Sequence, residues 1–426
     1  MRNLSMLTPI VFIVCIFFLL YQITLVASST PPRDVPDDAI TLDCDNANAD
    51  KSKDMYGRDW TGDFQSKFFP KEENNLKSYT SKAPLERMVT RAPYSTARIS
   101  YSQFTYVFPV TVGPKFVRLH FNSVIYPGFE GSEAFFTVIA GSFTLLRYFT
   151  AFVHDDFSQE KTFFKEFCIN VGKDKKLNLT FIPYSTTFHA FINGIEIVSM
   201  PADLYYKPER KTDEGIPNLS GNPFYINNDM ALEMVYRLNV GGYFIGQTDD
   251  TGLFREWSTD DNYFKGASLM RQKPSLILDY AKIPNFSAPD EDDVYRYART
   301  MGSNRTKNRL SNLTWGLPVD MGFYYLVRLH FCEIDPNMNL VGQRRFIIYI
   351  DYLFAEMDAD DYWTDKIGRP VYKDYVVMIQ KKGVEDNSHI LLIDLHPRTD
   401  SHYEDAILNC LEVFKLSNTD GNFTLI

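Results

Sequence analysis

Hydrophobic and polar residues alternate along many short stretches of this chain. In VRLHF (117–121), Arg118 and His120 alternate with apolar residues, a period of two that is typical of a half-buried strand. Aromatic and β-branched residues are abundant, whereas long amphipathic helical windows are scarce. Many short strands separated by Gly, Pro and Asn turns predict an all-β fold, either a sandwich or a barrel.

The alternating stretches return in a second copy. FVRLHF (116–121) matches LVRLHF (326–331), FFTVI (135–139) matches FIIYI (346–350), and AFINGIEI (190–197) matches AILNCLEV (406–413). The starts correspond as well, since LDC (42–44) and RDW (58–60) match LNV (238–240) and REW (255–257). Blocks in the same order at nearly constant separation indicate a tandem duplication, and a chain of 426 residues suits two domains.

One of these blocks contains a turn signal. Asn193-Gly194 lies between two apolar runs, and Asn-Gly is the preferred pair for a type I′ hairpin because both positions need positive φ. In the second copy the glycine position is Cys410. A side chain is strained in that conformation, so we expect the second turn to be remodelled or cross-linked.

The N-terminus has the order of a secretory signal peptide. Arg2 precedes an apolar run at 10–26, and small residues follow at 27–29. This order predicts a signal peptide at 1–29. The alternative is an uncleaved signal anchor, because the run approaches the length of a membrane span. No later stretch is long and apolar enough for a span, so the mature chain is predicted to be secreted.

Four cysteines remain once the leader is removed. Cys44 and Cys168 lie in the first half of the chain, and Cys332 and Cys410 lie in the second. An even number in an oxidising compartment favours disulfides; three pairings are open, and pairing within each half is the simplest. The alternative is that some are buried thiols. No spacing matches a CxxC metal site.

Sequons give independent support for export. Six Asn-X-Ser/Thr motifs predict glycosylation at Asn178, Asn218, Asn285, Asn304, Asn312 and Asn422. A single sequon recurs by chance, whereas six in an exported chain indicate that some carry glycans.

The net charge of −10 is more informative than any single acidic run. The runs at 290–293 and 358–361 are each best interpreted as solvated loops. A globally negative surface repels nucleic-acid phosphates, so no nucleic-acid partner is expected, and it attracts a basic peptide.

No catalytic, cofactor or metal site is predicted. His154-Asp155-Asp156 places a base beside two carboxylates, and a glycosidase needs two carboxyl groups around a sugar bond. Neighbours on a strand point to opposite faces, however, so a glycan-acting enzyme is the least favoured hypothesis. His396 and His402 have no third ligand at a suitable spacing.

The repeated histidines favour a structural interpretation. His120 and His330 occupy the same strand position in the two copies, and duplicated domains rarely keep two identical active sites. No GxSxG motif is present.

The order of these motifs resembles one plant receptor family. LDC, RDW, VRLHF, FINGIEIVSMP, YRLNVGG, DTGLFREW, LVRLHFCEI and LNCLEVFKL are similar, across the mature chain, to the tandem malectin-like ectodomain of the Catharanthus roseus receptor-like kinase family, the FERONIA, THESEUS and ANXUR group. The resemblance implies two jelly-roll-like β-sandwich domains packed side by side. Domain A is expected at 30–204, a connection at 205–228, domain B at 229–418 and a tail at 419–426.

The resemblance also implies a role in the apoplast or cell wall. Ectodomains of the family bind basic secreted peptides of the rapid alkalinization factor type with small GPI-anchored co-receptors, in cell-wall integrity and growth signalling. Pectin binding has also been proposed for the family. Basic patches that would suit pectate here are Arg305, Lys307 and Arg309, or Lys173, Lys175 and Lys176.

The sequence departs from the family pattern in three ways. Cys44 is followed by Asp45 where the family has glycine, and Cys410 replaces the turn glycine. The chain also has no Gly-rich phosphate loop, VAIK-like lysine, HRD or DFG sequence, so no kinase activity is expected in these residues. It is either a natural kinase-less homologue, which would compete with membrane receptors for ligand, or a truncated product. A native product that continues into a transmembrane segment would lie in the plasma membrane.

Carbohydrate binding is the alternative function. Aromatic faces stack on sugar rings, and a cell-wall glycan-binding protein without a signalling role would need exposed ones. Most aromatics are expected in the two cores. Tyr205 and Tyr206, beside the connection, are predicted to be an exposed pair that binds ligand.

Overall fold

The computed structural model describes residues 35–44, 52–64, 66–72, 79–83, 91–152, 162–211, 213–250, 252–272, 275–283, 294–338, 340, 342–360, 367–381, 383 and 387–424. The predicted signal peptide, His154-Asp155-Asp156 and the Asn285 sequon lie outside these residues. Strands dominate the described ranges and the helices there are single turns, so the all-β prediction is confirmed.

One sheet of eleven strands passes through both halves of the chain. In order across the sheet its strands are β2 (Ser52–Lys53), β3 (Asp59–Gly62), β1 (Ala39–Asp43), β14 (Gly194–Ser199), β8 (Gly113–Asn122), β11 (Thr162–Val171), β15 (Leu232–Asn239), β27 (Cys410–Leu416), β21 (Phe323–Phe331) and β24 (Val371–Ile379), with β16 (Ser258–Thr259) paired to β15. The two VRLHF stretches lie in β8 and β21, each of which pairs with a strand on both sides.

Two smaller sheets belong to each half, and their strand counts repeat. In domain A they are β10 (Phe143–Phe149), β9 (Phe136–Ala140), β12 (Lys176–Pro183), β7 (Phe104–Pro109) and β4 (Lys71–Glu72), then β13 (Ala190–Ile192), β6 (Thr96–Ser100) and β5 (Tyr79–Lys82). In domain B they are β17 (Phe264–Lys265), β20 (Leu313–Asp320), β25 (Ser388–Pro397), β22 (Arg345–Ile350) and β23 (Leu353–Asp360), then β18 (Leu269–Gln272), β19 (Tyr297–Thr300) and β26 (Ile407–Leu408). The duplication read from the sequence is therefore visible in the topology.

Helical structure in the described ranges is confined to short turns. The α-helix α1 (Arg305–Asn308) is a single turn, and the 3₁₀ turns are Gly131–Glu133, Gln247–Asp249, Tyr280–Lys282 and Val294–Arg296. Asn304 caps α1 by accepting a hydrogen bond from the main chain of Lys307 at 3.1 Å, as its short polar side chain favours.

The two domains are joined through the central sheet. Strand β11 of domain A pairs in antiparallel fashion with β15 of domain B, with Phe167 opposite Glu233 and Cys168 opposite Leu232. The hydrophobic core of domain B also takes in Phe116 of domain A. Main-chain hydrogen bonds and shared packing therefore hold the sandwiches side by side, and an edge that would otherwise be exposed is covered.

The segment 205–228, expected as the connection, packs against domain B. Tyr205, Tyr206, Ile216 and Ile226 are all buried in the second hydrophobic core. Main-chain bridges from Lys207 to Ile226 and from Ile216 to Phe224 fold the segment back on itself. This part of the chain is an ordered element of the fold and not an open linker.

The hairpin predicted at Asn193-Gly194 is wrong. Strand β13 pairs with β6, whereas β14 pairs with β1 and β8, so the two strands belong to different sheets. Asn193 lies at the change of sheet, where its side chain accepts from Asn122 N and donates to the Tyr126 hydroxyl. A Cβ at Gly194 would lie 2.4 Å from Pro93, so close packing requires the glycine.

The second copy keeps the change of sheet and loses the glycine. Asn409 accepts from Cys332 N at 2.7 Å and donates to the carbonyl of Tyr297 at 2.8 Å. Cys410 begins β27 and is buried. Because the segment is not a turn, the expectation that Cys410 forces a remodelled or cross-linked turn is also wrong.

The predicted disulfides are not found. All four described cysteines are buried, and none is joined to another by a disulfide bond. Cys44 and Cys168 belong to the two different hydrophobic cores, which explains why pairing within the first half fails. Burial raises the pKa of both thiols well above its usual value, and this makes them poor nucleophiles for disulfide exchange.

Candidate functional site

In domain A, an arginine lies between two carboxylates at the centre of the shared sheet. Arg118 of β8 is opposite Glu166 of β11 and Glu196 of β14. Its Nε donates to Glu166 at 2.6 Å, its Nη1 to Glu196 at 3.0 Å and its Nη2 to the carbonyl of Leu253, in domain B, at 3.0 Å. Each side of this buried guanidinium therefore has a partner.

Domain B repeats the register of this arginine but not its hydrogen bonds. Arg328 of β21 is opposite Asp374 of β24 and Glu412 of β27. Its Nε and Nη2 both donate to Asp374, at 2.7 and 2.8 Å. Glu412 instead accepts from Arg237 and from the hydroxyl of Tyr205. Within the described ranges, Arg328 Nη1 has no hydrogen-bond partner.

The charged centre continues from one domain into the other. Arg237 of β15 donates to Glu166 of domain A and to Glu412 of domain B, both at 2.8 Å. Burial alone would raise the pKa of these two carboxyls, but Arg237 and the other donors outweigh it, so each pKa lies below its usual value. Removal of one partner from such a buried network is strongly destabilising. The network therefore helps to fix the orientation of the two domains.

The repeated histidines are buried beside this centre. His120 Nδ1 lies 2.9 Å from the Tyr94 hydroxyl, and His330 Nδ1 lies 2.7 Å from the Tyr295 hydroxyl. The two rings are 3% and 0% exposed, and burial lowers the pKa of both. A substrate has no access to side chains so enclosed, which favours the structural role that their repetition predicts.

Tyr205 and Tyr206 are buried, so their predicted exposure is wrong. Each is 2% exposed. Tyr205 packs on Phe414 with ring centroids 4.4 Å apart, and Tyr206 donates to the main-chain carbonyl of Cys168. Polar residues flank the pair in sequence, whereas in the fold both rings pack into the core of domain B. Both tyrosines nevertheless line a cavity of about 280 Å³, whose wall includes Arg328.

An exposed aromatic cluster on domain A was not singled out by the sequence. Phe135, Tyr148, Tyr184 and Phe188 contact one another, with ring centroids 5.3 to 6.0 Å apart. Tyr148 and Tyr184 are 52% and 56% exposed. Tyr148 has a φ of 50°, which is rare for a bulky residue. Strain of this kind concentrates at functional positions, and exposed rings suit the face of a sugar.

The histidines considered as metal ligands have other contacts. His396 Nδ1 lies 2.8 Å from the side-chain oxygen of Asn312, and His402 packs edge-on against Tyr403. Across the described ranges, no group of three or more His, Cys, Asp or Glu side chains is placed to hold a metal ion. In the same ranges, no helix has the length and apolar character needed to cross a membrane.

Comparison with known proteins decides the family. The family model described as the malectin-like domain matches residues 42–416. The chain belongs to the malectin-like family. The Arabidopsis thaliana receptor-like protein kinase FERONIA is 39% identical over 398 residues, which cover 91% of this chain and 43% of that protein. The malectin-like chain therefore spans less than half the length of this curated relative.

Solved malectin-like ectodomains have the same fold. The crystal structure of the plant receptor-like kinase FER has 37% sequence identity and a TM-score of 0.78, over 91% of this chain and 98% of that one. The ANX1 ectodomain from Arabidopsis thaliana has 29% identity and a TM-score of 0.79, with the same coverage. A further structure contains FER with the plant peptide RALF23 and LLG2, at 37% identity and a TM-score of 0.78, over 92% of this chain and 98% of that one. The resemblance to this ectodomain group and its tandem architecture are confirmed.

The two basic patches proposed for pectate lie on the surface of the malectin-like domains. The lysines of the first (Lys173, Lys175 and Lys176) are exposed at the turn between β11 and β12. In the second, Arg309 forms an ion pair with Glu404, and Arg305 donates to the carbonyl of His402; Lys307 is exposed. Because Glu404 offsets one of its charges, the second patch offers less net positive charge to a polyanion.

The described sequons differ in exposure. Asn178, Asn304 and Asn312 are exposed, and Asn218 is half-buried. Asn422 is only 8% exposed, and its side-chain nitrogen donates to the carbonyl of Asp420. We expect glycans at the three exposed sites and none at Asn422.

Proposed function

We propose that this chain is an extracellular ligand-recognition module that binds a basic signalling peptide of the rapid alkalinization factor type with a GPI-anchored co-receptor, in cell-wall integrity or growth signalling. The observation that carries the proposal is the similarity to FER, whose structure has been solved with RALF23 and LLG2. That similarity extends over 98% of the solved FER chain.

The charge of the chain supports a basic ligand. The net charge is −10 and the isoelectric point is about 5.3. A negatively charged protein concentrates a basic peptide near its surface and speeds its association. The same charge disfavours a polyanion such as pectate, except at a local basic patch.

Calorimetric titration of the secreted, glycosylated protein with a panel of rapid alkalinization peptides at physiological salt tests the proposal. We expect saturable one-to-one binding to some peptides, with and without the co-receptor present. The control is a scrambled peptide of the same composition, because charge alone would bind both. Equal affinity for native and scrambled peptides, or no heat of binding even with the co-receptor, would overturn the proposal.

Binding of cell-wall glycan without a signalling role is the second candidate function. It is favoured by the exposed cluster around Tyr148 and Tyr184, because exposed rings supply stacking surfaces for sugars. Tyr184→Ala would then abolish retention of pectate or neutral oligosaccharides. Tyr352→Ala, which removes a 74% exposed ring of domain B, is the matched control. Pectate held only by charge would instead dissociate steeply with added salt and be insensitive to Tyr184→Ala.

A further inference from the structure

The five-stranded sheets of the two domains end in matching strands, β10 in domain A and β23 in domain B. Phe143 is the first residue of β10 and Leu353 is the first residue of β23, and each follows a two-residue turn from the neighbouring strand, β9 or β22. Thr144 and Phe354, the next residues along, therefore occupy equivalent positions at the edges of the two sheets.

In domain A this edge is covered by an extended segment of the same chain. The main-chain N–H of Thr144 donates to the carbonyl of Gly421 at 2.9 Å, and Thr144 forms a parallel bridge with Asn422. Phe423 of the same segment is buried, with its ring 5.5 Å from that of Phe167. The outer edge of β10 thus accommodates a strand-like piece of chain.

In domain B the matching edge has no strand beside it within the described ranges. Strand β23 is the last of its sheet and pairs with β22 alone. Because hydrogen-bonding directions alternate along an antiparallel ladder, the N–H of Phe354 points away from β22, as that of Thr144 points away from β9. Phe354 and Met357 are 57% and 62% exposed. An edge strand with exposed apolar side chains is a template for pairing with another chain.

The charge of β23 indicates which chain would pair with it. The strand contains one glutamate, two aspartates and no basic residue. Arg345 and Arg398 from neighbouring strands pair with Asp358, and Glu356 interacts with Lys373. A second copy of this protein, joined edge to edge, would bring two acidic strands together, and like charges on paired strands are destabilising. A strand that alternates apolar and basic side chains suits both the charge and the exposed apolar residues.

We propose that β23 binds an extended segment of a basic partner peptide by β-strand addition, with the N–H of Phe354 donating to a carbonyl of that segment. Main-chain hydrogen bonds supply affinity in this mode of recognition, and alternate side chains supply specificity. The bond from Thr144 to Gly421 is the equivalent contact in domain A. The inference rests on the proposed function, since it takes the partner to be the basic signalling peptide.

Two substitutions at one position isolate the main-chain hydrogen bond. Phe354→Ala removes the ring and keeps the N–H, whereas Phe354→Pro removes both. Proline is tolerated on edge strands where the N–H faces solvent. The probe is an acetylated, amidated heptapeptide of alternating lysine and valine, titrated by calorimetry. Loss of one neutral hydrogen bond weakens binding about two- to tenfold, and we expect this difference between the proline and alanine variants. Equal affinities of the two folded variants, or no saturable binding to the wild type, overturn the inference.

A charge reversal gives a second test that does not depend on proline. Glu356→Lys places a positive charge on the edge strand, and Asp174→Lys makes the same change in charge at an exposed position of domain A. We expect the first variant to weaken heptapeptide binding at least threefold and the second to change it less than twofold. Equal effects would mean that only the total charge matters, which overturns the site. Should Phe354→Pro fail to fold in thermal unfolding, this pair of variants decides the outcome.

The same variants separate this inference from the proposed function. Binding of a rapid alkalinization peptide that is unchanged in Phe354→Pro and Glu356→Lys overturns the site and leaves the function standing. Absence of binding to any such peptide, with heptapeptide binding that still depends on Phe354 and Glu356, overturns the function and leaves β23 standing as a strand-binding edge.

Discussion

Arg118 of domain A and Arg328 of domain B occupy the same register between neighbouring carboxylates, but different elements cover them. Leu253 of domain B closes over Arg118, whereas Tyr205 of the connection packs against Arg328. The polar face of each duplicated strand has to be covered, because an unpaired buried charge is costly. The place of a domain in the tandem, and not its local sequence, therefore decides how completely its arginine is satisfied.

Glu196 and Glu412 occupy matching positions in the two domains, but the arginines that reach them from outside β8 and β21 differ. Glu196 accepts from Arg58 of its own domain at 2.6 Å. Glu412 accepts from Arg237, which also reaches Glu166 across the domain boundary. Glu196 is thus paired within domain A, whereas Arg237 forms a bridge between Glu412 of domain B and Glu166 of domain A. This bridge predicts that Glu166 of β11 and Asp374 of β24, which occupy matching positions, differ in their contribution to stability.

The largest expected effect comes from removing those carboxylates. Glu166→Ala leaves both Arg118 and Arg237 without a shared partner, so we expect the free energy of unfolding to fall by about 3–5 kcal/mol. Asp374→Ala affects Arg328 alone, and the Asp374 side chain is 19% exposed, so the expected loss is about 1–3 kcal/mol. Denaturant unfolding followed by tryptophan fluorescence measures both. Equal losses for the two variants would show that the bridge adds nothing.

The connection is tested next, by removing one hydroxyl from each of its two buried tyrosines. The Tyr205 hydroxyl donates to the Glu412 carboxylate at 2.6 Å, and hydrogen bonds to charged groups contribute about 1.5–3 kcal/mol. The Tyr206 hydroxyl donates to neutral main-chain carbonyls, where the usual contribution is about 0.5–1.5 kcal/mol. We expect Tyr205→Phe to destabilise more than Tyr206→Phe in equilibrium unfolding. The reverse order would place the connection outside the charged centre.

Much of the fold could be predicted because the sequence repeats its local patterns. The matching positions of Arg118 and Arg328, and of His120 and His330, follow directly from the two VRLHF blocks. The pairing of β11 with β15 could not be predicted, because neither sequence contains a signal that identifies the other strand as its neighbour.

The candidate site was harder to predict than the fold. Tyr205 is next to a polar segment in sequence, and the composition of that segment suggested that the tyrosine would be exposed. In the fold it is buried in the core of domain B. The cluster around Tyr148 gathers one ring from strand β10 and three rings from two loop segments, and the positive φ of Tyr148 has no sequence signal. Asn193-Gly194 was assigned to a turn because the pair is a strong turn signal, whereas here it allows one strand to change sheets.

That change of sheet allows the two copies to be compared by substitution. A Cβ at Gly194 would lie 2.4 Å from Pro93 and 2.9 Å from Trp60, and overpacking of this kind costs about 1–3 kcal/mol. Gly194→Ala is therefore expected to lower the thermal unfolding temperature. Cys410→Ala is the matched change in domain B, where a side chain already fits, and a smaller shift is expected. A tolerated Gly194→Ala would mean that Pro93 can move aside.

The repeated histidines predict the smallest effect, and one of similar size in the two domains. Burial lowers the pKa of His120 and His330 in the folded chain, while the unfolded chain keeps a value of about 6.5. Below pH 6.5 the unfolded state binds protons that the folded state does not bind. Stability therefore falls as the pH falls, by at most about 1.4 kcal/mol per pH unit for each histidine. Above that pH the contribution is fully present.

Single variants isolate this pH effect. His120→Gln and His330→Gln should each reduce the slope of unfolding free energy against pH, between pH 6.5 and 5.5, by less than the equivalent of one proton. His189, whose pKa burial lowers to about 4, keeps its own contribution in both variants and serves as an internal reference. Both repeated rings bond a tyrosine hydroxyl through Nδ1. Each also faces a glutamate through Nε2, at 3.6 Å from Glu196 in domain A and 3.1 Å from Glu412 in domain B, so reductions of similar size are expected. A reduction in one variant alone would show that the duplication preserved the position of the histidine without preserving its protonation state.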